Sequence, residues 1–231
     1  MRLSVTLKLA TSLDGRIATA SGESRWITGE AAREQVHRLR AMHQAVLVGV
    51  ETAIADDPEL TVRLPGFVGF QPLRVVLDSR QRLPLATKLV RDAARLPTLV
   101  VTVQNPNKRL TDAGVTVVRV AESDGRPEPA AALAGVTAHL AARLAERVPG
   151  ASLEGMEMNL LIEGGGQVAA SFLAAGLVDR IEWFRAPIVL GDEGRPGVGA
   201  FVLKDLAAAP RFRRVAAEAL GDDLWERYEK A

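Results

Sequence analysis

The chain has 231 residues, 48% of them apolar and 25% charged, the composition of an ordinary globular protein long enough to bury a substantial core. Its 29 basic and 28 acidic residues leave a formal charge of +1, so the overall balance points to no nucleic acid or acidic membrane as partner, while local arginine clusters can still hold a phosphorylated small molecule. Cysteine is absent, which excludes disulfides, thiolate metal sites and cysteine nucleophiles, and three scattered histidines (His37, His43, His139) make no convincing metal site.

Residues 3–9 alternate in polarity and predict a first strand with Lys8 on its polar face. Lys8 also breaks the N-terminal apolar stretch before a signal-like core forms, and no apolar run approaches the roughly 20 residues of a membrane-spanning helix, so the expected location is the cytoplasm. Ser12-Leu-Asp-Gly15 reads as a turn, and Thr28 as the N-cap of a helix over roughly 29–42 with Ala32, Val36 and Leu39 as its apolar stripe. Ala45–Val50 is a buried strand, followed by a short helical turn and a loop through Asp56-Asp57-Pro58; residues 64–72, with two prolines, two glycines and two phenylalanines, form a further loop.

Leu73–Asp78, Thr98–Val103 and Val115–Val120 are three more strands; the polar tract 121–129 is a loop, and an alanine- and leucine-rich helix runs over roughly 130–148. The apolar run from Leu160 ends in Glu163 and the glycines Gly164, Gly165 and Gly166, then passes into a helical pattern. Arg180–Ala186 is a strand, and Phe212–Leu220 and Leu224–Tyr228 flank Gly221-Asp222-Asp223 as an antiparallel hairpin. Strands alternating with helices and ending in a hairpin predict an α/β fold in three layers, a mostly parallel mixed sheet with a C-terminal antiparallel hairpin, over residues 1–231 as a single domain.

The glycine turn is the segment with most to say about chemistry. A strand that ends in glycines and becomes a helix presents bare backbone N–H groups at a helix N-terminus, which favours anions and phosphates above all; a plain tight turn needing positive φ is the other reading. Lys8 points either to solvent or into a polar cavity, where its pKa would be tunable. Ser21–Thr28 puts hydroxyls and the Trp26 indole on a loop before a helix. Arg33, His37 and Arg40 share one helix face, solvated or facing a phosphate. Asp56, Asp57 and Arg63 follow the end of a buried strand, where ligands bind in open α/β sheets, and Ser79-Arg80 after the next strand suits a ribose 2′-phosphate, which favours NADP over NAD.

Together these segments resemble a known family. Val5–Ala18, Ser24–Gly29, Leu39–Ala41, Ala55–Arg63, Arg74–Ser79, Glu163–Gly166 and Ala175–Asp179 are similar, in order and spacing, to the reductase domain of the bifunctional riboflavin-biosynthesis deaminase–reductase, over residues from about 3 to about 203. The resemblance implies a dihydrofolate-reductase-like fold and the NADPH-dependent reduction of 5-amino-6-(5-phosphoribosylamino)uracil, whose ribosyl group becomes a ribityl chain. It places Ala10, Trp26, Thr52, Asp56, Ser79 and the turn Gly165, Gly166, Gln167, Val168, Ala169, Ala170 and Ser171 along the cofactor. It places Ser24, Arg40, Leu60, Arg63 and Glu163 on the substrate, with Lys8 and Glu163 nearest the reacting carbon, and it implies a homodimer.

The family's zinc deaminase signatures have no counterpart here, since the chain lacks cysteine. The expected activity is the reductase alone, in a stand-alone protein or a piece of a longer one. Two rivals stay open: a dihydrofolate or other pterin reductase of the same fold, for which Glu30 or Glu34 would face the ring, and a nucleotide-binding module without turnover.

Overall fold

The computed structural model describes residues 2–150, 152 and 154–231. In chain order the elements are β1 (Arg2–Thr11), β2 (Arg16–Ala18), α1 (Glu30–Ala41), β3 (Ala45–Gly49), α2 (Val50–Asp56), β4 (Leu73–Leu77), α3 (Lys88–Arg91), β5 (Thr98–Thr102), α4 (Lys108–Asp112) and β6 (Thr116–Arg119). There follow β7 (Glu122–Ser123), β8 (Arg126–Pro127), α5 (Pro129–Arg147), β9 (Glu157–Gly164), α6 (Gly166–Ala174), β10 (Arg180–Arg185), β11 (Arg195–Pro196), a 3₁₀ turn (Leu206–Ala208), β12 (Phe212–Leu220) and β13 (Asp223–Lys230). The chain forms two compact units interleaved in sequence: Arg40–Leu160 with the start of the chain, and Val5–Leu39 with Leu161–Ala231.

In the first unit β3, β4, β5 and β6 lie side by side in chain order, all parallel. Parallel strands need covered faces, and Ala45–Val48, Leu73–Val76 and Thr98–Thr102 are buried at every position. One of those buried residues is Arg74 on β4. Its guanidinium donates to the carbonyls of Lys88, Leu89 and Leu96 and to Thr98 Oγ1, so it satisfies the end of α3 and the turn after it. Among the described residues no carboxylate hydrogen-bonds to it, and burial pushes its pKa down to about 10. The loop 63–70 is closed at its neck by one side chain: Gln71 accepts from Val62 N at 2.7 Å and donates to Val62 O at 3.0 Å.

In the second unit β1 runs parallel to β10, β10 antiparallel to β13, and β13 antiparallel to β12. The mostly parallel strands and the C-terminal antiparallel pair agree with the expected fold class. Phe184 of β10 and Trp225 of β13, register partners, stack with ring centroids 5.8 Å apart. Helix α6 buries Val168, Ala169, Ala170, Phe172 and Leu173.

Several local expectations shift. Helix α1 starts at Glu30, so Thr28 is not its cap; Gly29 precedes it, and the Gly29 N–H is taken by the Asp223 carboxylate at 2.6 Å. The buried positions of α1 are Ala32, Gln35 and Leu39, with Val36 half-buried. The tract 121–129 contains a two-residue hairpin, β7 with β8, and α3, α4, β2 and β11 have no counterpart among the predicted elements.

Candidate functional site

Candidate residues gather in each unit. In the first, the chain leaves α2 through Asp57 in the left-handed region (φ 41), and Leu60 adopts φ 54 with its side chain 2% exposed. These two turns fold Asp57–Arg63 back on itself. The Asp57 carboxylate accepts from Lys88 N at 2.8 Å, which ties the segment to the start of α3. Thr61 is the hub: Arg40 Nη1 donates to its carbonyl at 2.9 Å, and Arg63 Nη1 lies 3.5 Å from its hydroxyl. Two permanent cations from distant parts of the chain thus converge on one residue. The Glu59 carboxylate lies among them, 3.4 Å from Arg63 Nη1 and 3.8 Å from Lys88 Nζ.

Thr52 and Asp56 are half-buried on α2. Ser79 is half-buried at the end of β4, its carbonyl accepting from Thr102 Oγ1 at 3.1 Å, with Arg80 exposed beside it. Arg82, two residues on, is engaged by Glu51.

In the second unit Lys8 and Ala10 are half-buried at alternate positions of β1. Lys8 is the register partner of Glu182 on β10, and its Nζ lies 5.9 Å from the Phe184 ring centroid. Burial raises the pKa of Glu182, against the opposing pull of the Trp225 N–H, which it accepts at 2.6 Å, and of Arg227 and Arg180. Trp26 is 69% exposed, with the Arg33 guanidinium 4.6 Å from its ring centroid; Ser24 is half-buried on the same loop. Glu163 is half-buried near the end of β9.

The glycine turn has a physical reason for each of two glycines. Gly165, the N-cap of α6, sits at φ 94, and no side chain caps the helix. Gly166 is crowded: a Cβ there would meet the Pro196 carbonyl at 2.5 Å, and its own carbonyl accepts from Gly199 N at 2.7 Å. Gly166→Ala therefore displaces the 196–199 segment, at an expected cost of about 1–3 kcal/mol, read by chemical unfolding. The first-turn amides of α6 fit an anionic group, since a nine-residue helix without a side-chain cap leaves its N-terminal dipole to be met by a ligand. Among the side chains of this turn, Val168, Ala169 and Ala170 face the core, whereas Gln167 and Ser171 are exposed, with the Ser171 hydroxyl donating to Val168 O.

Sequence reasoning missed what braces this turn. The segment 187–199 runs from β10 past the Ser12–Gly15 turn to α6: Leu13 N donates to Ile188 O, Gly197 N to Gly15 O and Gly199 N to Gly166 O. Asp14 fastens it, accepting from Leu190 N at 3.1 Å and Gly191 N at 2.8 Å. The Ser12 hydroxyl, followed by these two backbone amides, holds the Asp14 pKa down at about 2. A depressed carboxyl pKa means the fastening is present above the ordinary carboxylate range and lost as pH falls toward 2. Protection of the Leu190 and Gly191 amides, taken relative to their intrinsic exchange rates, is expected to fall between about pH 4 and pH 2, and Asp14→Asn to remove that pH-dependent loss. Four glycines within nine residues, at 191, 194, 197 and 199, were the available signal.

Comparisons with known proteins bear on the family and the fold. The riboflavin biosynthesis protein RibD of Actinobacillus pleuropneumoniae is 33% identical over 95% of this chain and 55% of its own length, so the chain spans about half of the first curated relatives it matches. A relative of matching length, the 2,5-diamino-6-ribosylamino-4(3H)-pyrimidinone 5′-phosphate reductase of Methanothermobacter thermautotrophicus, is 37% identical over 99% of this chain and 98% of its own. Among solved structures, Acinetobacter baumannii RibD superposes with a TM-score of 0.78 at 31% identity, covering all of this chain and 58% of that one. Residues 3–225 match the family model described as the RibD C-terminal domain, and the chain belongs to that family.

Proposed function

We propose that the protein is an NADPH-dependent reductase that converts the ribosyl group of 5-amino-6-(5-phosphoribosylamino)uracil into a ribityl chain. The observation that carries the reading is the convergence of Arg40 and Arg63 on Thr61, a cationic seat suited to a sugar phosphate. Family membership and the similarity to a reductase along its whole length support it.

The closed ribosylamine is no hydride acceptor, whereas its open-chain imine accepts hydride at C1′ once the nitrogen is protonated. NADPH supplies the hydride when bound. In the second unit the α6 amides at Gly166–Val168 would hold phosphate, and Trp26 and Ala10 are its further candidates for the cofactor. In the first unit the candidates are Thr52, Asp56 and Ser79 with Arg80, the last pair suited to a 2′-phosphate. Arg40 and Arg63 fix the substrate phosphate, with the backbone of Leu60 beside them, its side chain being buried; Ser24 is the second unit's candidate for the substrate. Lys8 gives the proton that the nitrogen takes up, and Glu163 steadies the cationic imine. The enzyme so described is a cytoplasmic homodimer formed by one reductase domain per chain.

A second substrate follows from the Methanothermobacter relative, whose name carries a 2,5-diaminopyrimidinone in place of the aminouracil. NADPH oxidation assayed with the aminouracil phosphate, the diaminopyrimidinone phosphate and dihydrofolate separates the readings. Turnover with either ribosylamino phosphate and none with dihydrofolate is expected; turnover with dihydrofolate alone, or NADPH binding without oxidation, would overturn the proposal.

A further inference from the structure

We propose that Glu59 is a built-in surrogate for the substrate phosphate, an internal carboxylate that occupies Arg63 and Lys88 and must swing aside when phosphate binds. The inference rests on the reading of Arg40 and Arg63 as the phosphate seat. It adds a residue that weakens binding, and it brings in Lys88 as a third cation.

The Glu59 contacts are those of an exchangeable counter-ion. Its carboxylate accepts from Thr61 Oγ1 at 3.3 Å and lies 3.4 Å from Arg63 Nη1 and 3.8 Å from Lys88 Nζ. Exposed pairs elsewhere on the protein range from 2.6 Å or less, as in Arg38–Glu34 and Arg227–Glu218, to 3.7 Å in Arg213–Glu229, and the Glu59 contacts lie at the long end of that range. One carboxylate is shared loosely among three donors and commits fully to none. The side chains involved are 39–53% exposed, so the interaction is weak and screened by solvent. The backbone beneath is not loose: Asp57 and Leu60 are fixed in left-handed conformations, and the Asp57 carboxylate is bound to Lys88 N. Displacement of Glu59 is therefore a side-chain rotation that leaves the segment in place.

The exchange favours phosphate. A phosphate monoester brings more negative charge and more acceptor oxygens than one carboxylate, and guanidinium groups bind it through short, charge-assisted hydrogen bonds. A substrate carboxylate or a neutral sugar gains too little to evict Glu59. The residue thus sets a threshold that admits dianions and rejects weaker ligands, with affinity for phosphate lowered in exchange.

The test compares Glu59→Gln and Arg63→Ala with the parent protein, using the aminouracil phosphate as substrate and inorganic phosphate as competitive inhibitor. For Glu59→Gln, the KM and the phosphate inhibition constant are each expected to fall about threefold at low salt, the difference shrinking as ionic strength rises. Glu59→Asp, which keeps the charge, is expected to stay near the parent. A KM and an inhibition constant that are unchanged or raised in Glu59→Gln overturn the surrogate role. Arg63→Ala is expected to weaken both the substrate and inorganic phosphate. If it weakens neither, the phosphate seat itself is wrong and the surrogate falls with it; if it weakens both while Glu59→Gln tightens neither, only the surrogate is wrong.

Discussion

Lys8→Ala is expected to lower kcat by about two to four orders of magnitude, the range for loss of a positioned proton donor, with little change in NADPH affinity. Lys8 is half-buried on a strand otherwise packed into the core, beside the Phe184 ring and in register with the buried Glu182. Lys8→Arg separates the two things a cation can do there. A guanidinium keeps the charge but holds its proton too tightly to give it up, so the arginine variant should be nearly as slow as the alanine one. If Lys8→Arg retains most of the turnover, the lysine acts through charge alone. An unchanged kcat in Lys8→Ala removes it from the mechanism.

The largest effect on stability is expected at Arg74. Arg74→Ala should cost about 3–5 kcal/mol, a large part of the stability of a typical domain, because it empties a core position and removes the guanidinium donor from the carbonyls of Lys88, Leu89 and Leu96. The two contributions can be separated. Arg74→Met keeps most of the volume and loses only the hydrogen bonds, and it should cost about 1–3 kcal/mol. Thr98 limits that loss, since its hydroxyl donates to Leu89 O at 2.7 Å with or without the arginine. Urea unfolding of the three proteins measures both differences. An alanine variant within about 1 kcal/mol of the parent would show that the guanidinium is no more than a tolerated burden.

Arg74 also shows where sequence reading stops. In Leu73-Arg-Val-Val-Leu77 the strand is legible from its β-branched residues, but the acceptors of the arginine lie 14 to 24 positions away, and nothing local announces them. The same division runs through the molecule. Apolar runs such as Ala45–Val48 and the hairpin around Gly221-Asp222 carry their own pattern. Helices α3 and α4, with four and five residues, are too short to show a helical period. The start of α1 lies one residue beyond the expected one, where Asp223, 194 positions away, binds Gly29 N. At the candidate site, the family resemblance singled out Arg40 and Arg63. Thr61, which joins them, and Glu59, which lies against Arg63 and Lys88, belong to the same motif but became visible only with distances.

The Gln71 clasp has a consequence for how this chain can vary. The two ends of loop 63–70 are held together by a side chain beyond it, and Val68 within it is 100% exposed. Doubling the length of such a closed loop costs only about 0.6 kcal/mol in chain entropy. The tip is therefore a natural point for insertions, where added sequence, a fluorophore or a whole guest domain can be carried without moving Thr61.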